Sequence, residues 1–421
     1  MINYSKLGYQ CKREVRTFCE RIGKGIKRPG YKLICNMLYG LMEGQSCHLT
    51  EIARALKEGI TLKKTVERIS NGLAGFTQER QLMDNYVQVV KTSVGKNALL
   101  LVDNSDITKP SSRALEGLCR VYDGSTGEIR DGYPTLEITA LSPKHKMPIP
   151  VYSRIYSTKE PGFVSEPEET LKGLRYITHH FGRAGVRVMD RGYDSERYIE
   201  YFFEETEPFV IRCNKNRNVQ YKDKVMNIME LATRYKGKYG MKYTDKKGKI
   251  HDCKISMIPI RIPAFPDNIL NLVVVYGFGQ EPMLLISNME NNDKRLVLAI
   301  TKVYLMRWRI EEYYRFKKQQ FEFEDFRVRS LNAIKTLQLM LSMLIGLLGL
   351  LSEKADESLF VMNLIHVSKR VYGIKNKNGR LKFLYYTIAD AFFLILHKCI
   401  LGYSAFLPPK TLPPSPQLSF L

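Results

Sequence analysis

The chain has 421 residues, of which 44% are hydrophobic, and its 65 Lys and Arg against 43 Asp and Glu give a net charge of +22. This length and hydrophobic content exclude a disordered chain and predict two or three folded domains. The charge predicts a polyanionic partner, with nucleic acid ahead of an anionic membrane surface. The eight cysteines form no Cys-x-x-Cys pair and no apolar signal segment follows the first residues, so we expect a reducing cytoplasm.

Residues 1–95 are predicted to be helical. The segments SCHLTEIARALKEGI and TLKKTVERISNGL carry apolar residues at helical spacing, with Thr50 and Thr61 as candidate N-caps and Gly59 and Gly72 as candidate stops. Two short helices joined at a glycine resemble a helix-turn-helix. This pattern favours a DNA-binding region, although it also occurs as plain helix packing.

From residue 98 the pattern changes to strands. ALLLVD is a short apolar run that ends in Asp103, and TLEITAL and MPIPVYSRIYS follow it as further strands. After the helical stretch EPEETLKGLRYITHHF, the strand VRVMD ends in Asp190, and a helix through SERYIEYFFEE leads to the strand PFVIR. This order predicts an α/β fold with a mixed sheet flanked by helices.

Residues 214–280 are predicted to be a β-strand insertion, followed by the strand EPMLLIS. The segment NNDKRLVLAITKVYLMRWRIEEYYRFKKQQF is predicted to be one helix of about thirty residues, capped by Asn291 to Asp293. TLQLMLSMLIGLLGLL is shorter than the roughly 20 apolar residues of a membrane span, so a core helix is favoured within a helical C-terminal region, 331–407. The Pro-rich tail, 408–421, is predicted to be disordered or draped on the surface.

The segment YLMRWRIEEYYRFKK places four chemically different residues on one side of the predicted helix. At about 100° per residue, an arc of about 60° contains Tyr304, Arg307, Glu311 and Lys318. If this helix packs beside the ends of the two acid-terminated strands, three carboxylates converge, and Mg²⁺ is typically held by a few carboxylates together with substrate phosphate. In DNSD, either Asp103 or Asp106 could be the acid at the end of the strand, and the end of the apolar run favours Asp103.

The same segment resembles the Tyr-x2-Arg-x3-Glu-x6-Lys signature of bacterial DDE transposases of the insertion-sequence-four family. LLLVDNSDITKP is similar to the segment of that family's first Asp, and VMDRGYDSERYIEYFFEETEPFVIR to the segment of its second. The resemblance covers about residues 98–351. It implies a ribonuclease-H-like catalytic core, residues 96–213 and 281–330, interrupted by the β insertion of residues 214–280.

The resemblance also implies the site. The catalytic and metal-binding residues would be Asp103, Asp190 and Glu311, holding Mg²⁺ or Mn²⁺ as two ions. The DNA contacts would be Tyr304, Arg307, Lys318 and Arg212. The implied activity is cut-and-paste transposition in a bacterial cytoplasm, by a homodimer on double-stranded DNA, with no membrane partner.

Other readings of the sequence remain open. Well-studied members of the family have a base-stacking aromatic residue in the strand before the signature helix, where this chain has Met283, so a hairpin intermediate with a flipped base does not follow. For Trp308 a packing role is favoured over base stacking, and Asp194 is interpreted as the cap of the following helix. The rival functions are a catalytically silent, domesticated DNA-binding protein and a nuclease that cuts without joining.

Overall fold

The structure is a computed structural model that describes residues 3–124, 126–245, 248–290, 293–373 and 383–399. Its internal contacts divide the chain into two compact units. One is a helical unit, Met1–Tyr86 with Ala114–Glu116 and Phe316–Leu421. The other is a sheet unit, Val87–Arg113 with Gly117–Arg315. The domain boundaries expected from the sequence stay a prediction.

The elements follow in chain order. The helices are α1 (Tyr4–Ile22), α2 (Arg28–Gly44), α3 (Leu49–Leu56), α4 (Leu62–Ala74), α5 (Glu79–Val94), α6 (Glu166–Phe181), α7 (Glu196–Glu204), α8 (Ile228–Thr233), α9 (Lys294–Leu305), α10 (Arg309–Gln320), α11 (Leu331–Ser352), α12 (Leu359–Tyr372) and α13 (Leu384–His397). The strands are β1 (Leu99–Thr108), β2 (Cys119–Asp123), β3 (Glu128–Leu141), β4 (Pro148–Ile155), β5 (Val186–Met189), β6 (Phe209–Arg212), β7 (Asn218–Tyr221), β8 (Lys224–Asn227), β9 (Tyr239–Thr244), β10 (Ile250–Ile262), β11 (Phe265–Tyr276) and β12 (Met283–Ser287).

The described strands form one mixed sheet in the order β2-β3-β1-β5-β6-β12-β11-β10-β7-β8, with β4 paired to β3 and β9 paired to β10. Strand β1 runs antiparallel to β3 and parallel to β5, and β5 runs parallel to β6. The two parallel connections carry the helices α6 and α7, as crossover connections of parallel strands require. The mixed α/β sheet predicted from the sequence is confirmed, and its order is consistent with a ribonuclease-H-like core.

The strands expected between residues 214 and 280 are present, and they extend the same sheet. Strand β12 pairs antiparallel with both β6 and β11, so the inserted strands continue from the core through β12. The sequence analysis did not predict the short helix α8. Asn227 is its N-cap, and the Asn227 side chain accepts a hydrogen bond from the Met229 backbone N–H at 2.8 Å. The sequence analysis also did not predict the hairpin strand β2.

The prediction that the first strand ends at Asp103 is wrong. Pairing of β1 with the parallel strand β5 stops at the pair Val102 and Met189, but antiparallel pairing with β3 continues to Thr108. Asp103 therefore lies within β1, at the point where only one neighbouring strand remains.

The prediction of one continuous helix of about thirty residues is also wrong. The chain forms α9 and α10, separated by the turn Met306–Trp308, where the Arg307 N–H bonds to the Tyr304 carbonyl at 2.9 Å and the Ile310 N–H to the Arg307 carbonyl at 3.0 Å. These i to i+3 bonds are those of a tighter turn of about 120° per residue, against about 100° in an α-helix. Residues after the turn are thus rotated by about 60° relative to the count along an ideal helix.

In the helical unit, both helices of the expected helix-turn-helix pair are confirmed as α3 and α4. Thr61 caps α4 as predicted, with its hydroxyl accepting a hydrogen bond from the Lys64 N–H at 3.4 Å. Thr50 is not a cap, because α3 begins at Leu49. Gly72 does not end α4, which runs on to Ala74. A Cβ at Gly72 would lie 3.0 Å from the Leu33 side chain of α2, so glycine lets the two helices approach closely.

Helix α11 is the predicted core helix. By length and composition it could cross a membrane, but 89% of its most apolar window is buried inside the protein. Such burial is what a core helix shows, because its apolar side chains already have protein partners. The helices α2, α4 and α13 pack against it. The Pro-rich tail lies outside the described residues, as do Asn291 and Asn292, whereas Asp293 caps α9 with a 2.8 Å bond from the Leu296 N–H.

Candidate active site

Two acids lie side by side at the end of the parallel ladder between β1 and β5. The last paired residues are Val102 and Met189, and each is followed in the chain by an acid, Asp103 within β1 and Asp190 just after β5. Neighbouring strands lie about 4.8 Å apart, so the register alone brings the two carboxylates together. The backbone N–H of Arg191 donates to Asp190 Oδ1 at 2.7 Å, which fixes that carboxylate as the chain leaves the strand.

A buried ion pair beneath this point holds β5 in place. Both Arg187 on β5 and Glu207 just before β6 are 0% exposed, with 3.0 Å between Arg187 Nε and Glu207 Oε2. Arg187 also donates to the Gly182 carbonyl at 3.0 Å, at the end of α6. A pair of this kind is costly to break, because either partner alone would be an uncompensated buried charge. It therefore stabilises the position from which Asp190 projects.

The third acid reaches the same place from α10, and a guanidinium lies between all three. Arg307, in the turn before α10, has Nη2 at 2.9 Å from Glu311 Oε1 and at 3.7 Å from Asp190 Oδ2, and Nη1 at 3.9 Å from Asp103 Oδ2. The three acids come from β1, from the end of β5 and from α10. The structure thus brings together the three acids that the sequence singled out.

The acids differ in their access to solvent. The side chains of Arg307 and Asp103 are 15% and 20% exposed, whereas those of Asp190 and Glu311 are 38% and 43% exposed. The cluster is therefore closed beneath Asp103 and open on the side of Asp190 and Glu311. A substrate can reach it from that side.

The electrostatics separate the two aspartates. Burial raises the pKa of Asp103 to about 7, with the nearby Arg307 guanidinium opposing the rise. At Asp190 burial acts in the same direction, but the Arg307 charge and the bond from the Arg191 N–H, together with Tyr304 and Arg212, outweigh it and lower the pKa. Two neighbouring carboxylates with pKa values moved apart are a feature of functional sites.

Of the four predicted DNA contacts, three lie at the acids. The Tyr304 hydroxyl donates to Asp190 Oδ1 at 3.2 Å, and its side chain is 6% exposed. Burial raises the pKa of Tyr304 to about 12, while a hydrogen bond with Arg212, at the end of β6, acts against the rise. Arg307 contacts the acids as described. The fourth, Lys318, lies on α10 and pairs with Glu324 at 2.8 Å.

The common arc calculated for these residues assumed one helix, which the turn before α10 interrupts. Tyr304 and Glu311 still reach the same cluster because Tyr304 contacts Asp190, and Glu311 is joined to it through Arg307. For Lys318, the turn changes the calculated direction. Tyr304 and Glu311 are thus grouped by their contacts in the structure and not by a common arc on one helix.

Sequence reasoning missed a further carboxylate beside the cluster. Glu137 on β3 is directly opposite Asp103 in the antiparallel register and is 0% exposed. The Tyr313 hydroxyl donates to Glu137 Oε2 at 3.0 Å, and the Ser153 hydroxyl to Oε1 at 2.9 Å. The signal was present in TLEITAL, where one acid interrupts a run typical of a buried strand. A buried acid needs partners, and these cannot be identified from the local pattern.

Asp194 is not the cap of α7, contrary to the interpretation from the sequence. Ser195 occupies the cap position, and the Asp194 carboxylate instead accepts bonds from the Arg217 Nε at 2.6 Å and the Asn214 N–H at 2.7 Å. It thereby ties the chain after β5 to the start of the inserted strands. Trp308 packs with Arg309 over its ring at 4.7 Å and hydrogen-bonds the Tyr243 side chain.

Within the described ranges, no group of three or more His, Cys, Asp or Glu side chains is arranged to hold a metal ion as it stands. The Arg307 guanidinium lies among the three carboxylates, at 2.9 to 3.9 Å from an oxygen atom of each. The oxygen atoms that could hold a divalent ion are nevertheless those of Asp103, Asp190 and Glu311, and a positive charge already lies among them.

Comparison with known proteins gives a family match and matches among solved structures. No curated protein sequence matches this chain. A cryo-EM structure of a piggyBac transposase synaptic complex with hairpin DNA superposes with a TM-score of 0.42 at 10% identity, covering 96% of this chain and 80% of that chain. A likeness at this level says nothing about activity. Residues 168–347 match the sequence model of the family described as Transposase DDE domain, and this segment contains Asp190 and Glu311. The family match supports a DDE transposase.

Proposed function

We propose that this chain is a cut-and-paste transposase of the insertion-sequence-four family, which binds the inverted-repeat ends of a mobile element, cleaves them and joins the freed ends to target DNA. The observation that carries the proposal is the meeting of three acids, distant in sequence, around Arg307. The match of residues 168–347 to the transposase DDE domain supports it. The net charge of +22 suits a partner with one phosphate per nucleotide.

The residues of the cluster fit a divalent cation. Three carboxylates are the hard oxygen ligands that Mg²⁺ and Mn²⁺ prefer, and Arg307 shows that the cluster already accommodates positive charge. Asp103, Asp190 and Glu311 would hold the metal, as two ions. When bound, the ions would supply a metal-activated water and neutralise charge on the scissile phosphodiester.

The chain's own groups would orient the reacting DNA. The Arg191 N–H and the Tyr304 hydroxyl engage Asp190 Oδ1, so Oδ2, which lies 3.7 Å from Arg307, would be the oxygen atom that holds a cation. Arg307 would exchange its carboxylate contacts for a DNA phosphate when divalent cations occupy the site, in a charge-assisted contact. Arg212 and Lys318 would hold further phosphates. Rate acceleration then comes from positioning and charge neutralisation.

The proposed partners are double-stranded DNA and a second copy of the chain. Double-stranded DNA provides both the element ends and the target, and the helices α3 and α4 would contact the ends as a helix-turn-helix. Two copies of the chain would pair two ends as a homodimer on DNA. Pairing would bring both ends of the same element together for cutting and joining.

The experiment uses a supercoiled plasmid that carries the reading frame with its native flanking DNA, incubated with the full chain and Mg²⁺ or Mn²⁺. We expect cleavage at both flanks, insertion products in a second plasmid, and neither product in EDTA. Cleavage without insertion would contradict the transposase and indicate a nuclease. Binding of the flanks without cleavage would indicate a silent DNA-binding protein.

A further inference from the structure

We propose that Glu137 is a positioning residue of the cluster: acting through Tyr313, it sets α10, and with it Glu311, against the strand that carries Asp103. The inference rests on the proposed function, since it assigns Glu137 a role at that site. Glu137 is not a catalytic residue, because it is fully buried and contacts the helix and not the substrate.

The register of β1 and β3 places Glu137 beside Asp103. Glu137 pairs directly with Asp103, and residues that face each other in an antiparallel pair project to the same side of the sheet. Asp106, three positions further along β1, projects to the opposite side. Glu137 therefore lies beneath the same side of the sheet on which the acids gather.

Glu137 is buried, and hydroxyl groups from two other elements donate to it. A fully buried acid is costly unless donors compensate it. Two hydroxyl groups do so here, that of Ser153 at 2.9 Å and that of Tyr313 at 3.0 Å, and both of these residues come from other elements. The strand β4 and the helix α10 are thereby bound to the centre of β3.

Hydrogen bonds to the sheet fix the orientation of α10. The turn Met306–Trp308 interrupts the helical hydrogen bonding, so the direction of α9 does not fix that of α10. Two consecutive tyrosines of α10 bond to neighbouring strands: Tyr313 to Glu137 on β3, and Tyr314 to the Asp103 carbonyl on β1 at 2.9 Å. Both lie within one helical turn of Glu311. Hydrogen bonds to these two strands thus set the distance from Glu311 to the aspartates.

The test measures Mn²⁺ affinity by calorimetric titration of the full chain. Tyr313→Phe removes only the hydroxyl group and keeps the ring. We expect it to weaken Mn²⁺ binding by about tenfold or more, the range found when partners of metal ligands are removed. The matched control is Tyr276→Phe, which removes a tyrosine hydroxyl bonded to the Ala232 carbonyl at 3.0 Å and should leave the affinity unchanged.

A second variant separates positioning from stability. Tyr313→Phe leaves Glu137 with one donor fewer, so it also lowers stability. Adding Glu137→Gln replaces the carboxyl group that has lost a donor by a neutral amide, and we expect the double variant to recover thermal stability while Mn²⁺ binding stays weak. Glu137→Gln alone can keep its amide oxygen as the acceptor for Tyr313 while its NH₂ group donates to the Ser153 hydroxyl, so it should bind Mn²⁺ nearly as the parent does. This is the rescue by a conservative change that positioning predicts.

The outcomes are distinguishable. If Tyr313→Phe, or the double variant, binds Mn²⁺ as tightly as the parent, Glu137 does not position the site and the inference is overturned. If the parent chain itself binds no Mn²⁺, or binds it equally well as Asp103→Asn, the proposed metal site fails instead. Weakening by Tyr313→Phe but not by Tyr276→Phe supports the inference.

Discussion

Arg307 is the residue on which the electrostatics of the cluster depend. Its guanidinium lies within 4 Å of an oxygen atom of each acid, with the shortest distance, 2.9 Å, to Glu311. One monovalent charge cannot balance three carboxylates, so burial raises the pKa of Asp103 to about 7 even with Arg307 beside it. A divalent cation would compete with Arg307 for the same oxygen atoms.

We therefore expect Arg307→Ala to have opposite effects on two ligands. Mn²⁺ affinity should rise on the order of tenfold, because a competing charge-assisted contact worth roughly 1.5 kcal/mol is gone. Affinity for the element ends, measured by filter binding, should fall because a phosphate contact is lost. Arg315→Ala is the control for the metal, since Arg315 lies on the same helix and pairs with Glu312. Weaker Mn²⁺ binding in Arg307→Ala would contradict competition.

At the scale of elements, the local pattern predicted most strands and helices but not their junctions. The segment that contains Tyr304 and Glu311 has no Pro or Gly, so nothing in it predicts the break before α10. The break coincides with contacts that are distant in sequence, among them the hydrogen bond between Trp308 and Tyr243. Likewise, the continuation of β1 beyond Asp103 depends on its pairing with β3, which one strand's sequence does not contain.

Helix α2 contains a buried acid whose charge should make stability depend on pH. The Glu43 side chain is 4% exposed, 3.6 Å from Lys57, and burial raises its pKa to about 7 despite Lys57 and Lys12. Because the folded state then binds the proton more tightly than the unfolded state, the stability associated with protonation is greatest at low pH. It is lost as the pH rises through about 7.

Glu43→Gln should accordingly be more stable than the parent at pH 8 and lose that advantage towards pH 5. The difference in melting temperature should be a few degrees, on the order of ΔΔG of 1–3 kcal/mol. Differential scanning calorimetry at the two pH values measures it, and Glu20→Gln, an exposed glutamate paired with Arg16, is the control. An advantage that grows at pH 5 would have the wrong sign.

At the scale of the whole molecule, composition and periodicity predicted the mixed sheet and the β insertion, and the resemblance to a transposase family implied the three acids of the candidate site. They could not predict that Arg307 lies between those acids, because its position depends on the turn after α9 and on strands more than a hundred residues away. Nor could they identify Glu137, whose partners Tyr313 and Ser153 come from two other elements. Both features depend on strand register and on packing between distant segments, which cannot be predicted from the local sequence pattern.

The most direct test of the proposed catalytic centre measures metal-dependent DNA cleavage by variants of its three acids and by a variant of Asp106. With the supercoiled plasmid that carries the native flanks, Asp103→Asn, Asp190→Asn and Glu311→Gln should each lower the cleavage rate at least about 100-fold, because each removes a ligand of the charge-neutralising centre. Asp106→Asn should stay within about threefold of the parent, because Asp106 projects from the opposite side of β1. Full cleavage by any of the three variants, or equal loss in Asp106→Asn, would contradict the assignment of this cluster as the catalytic centre.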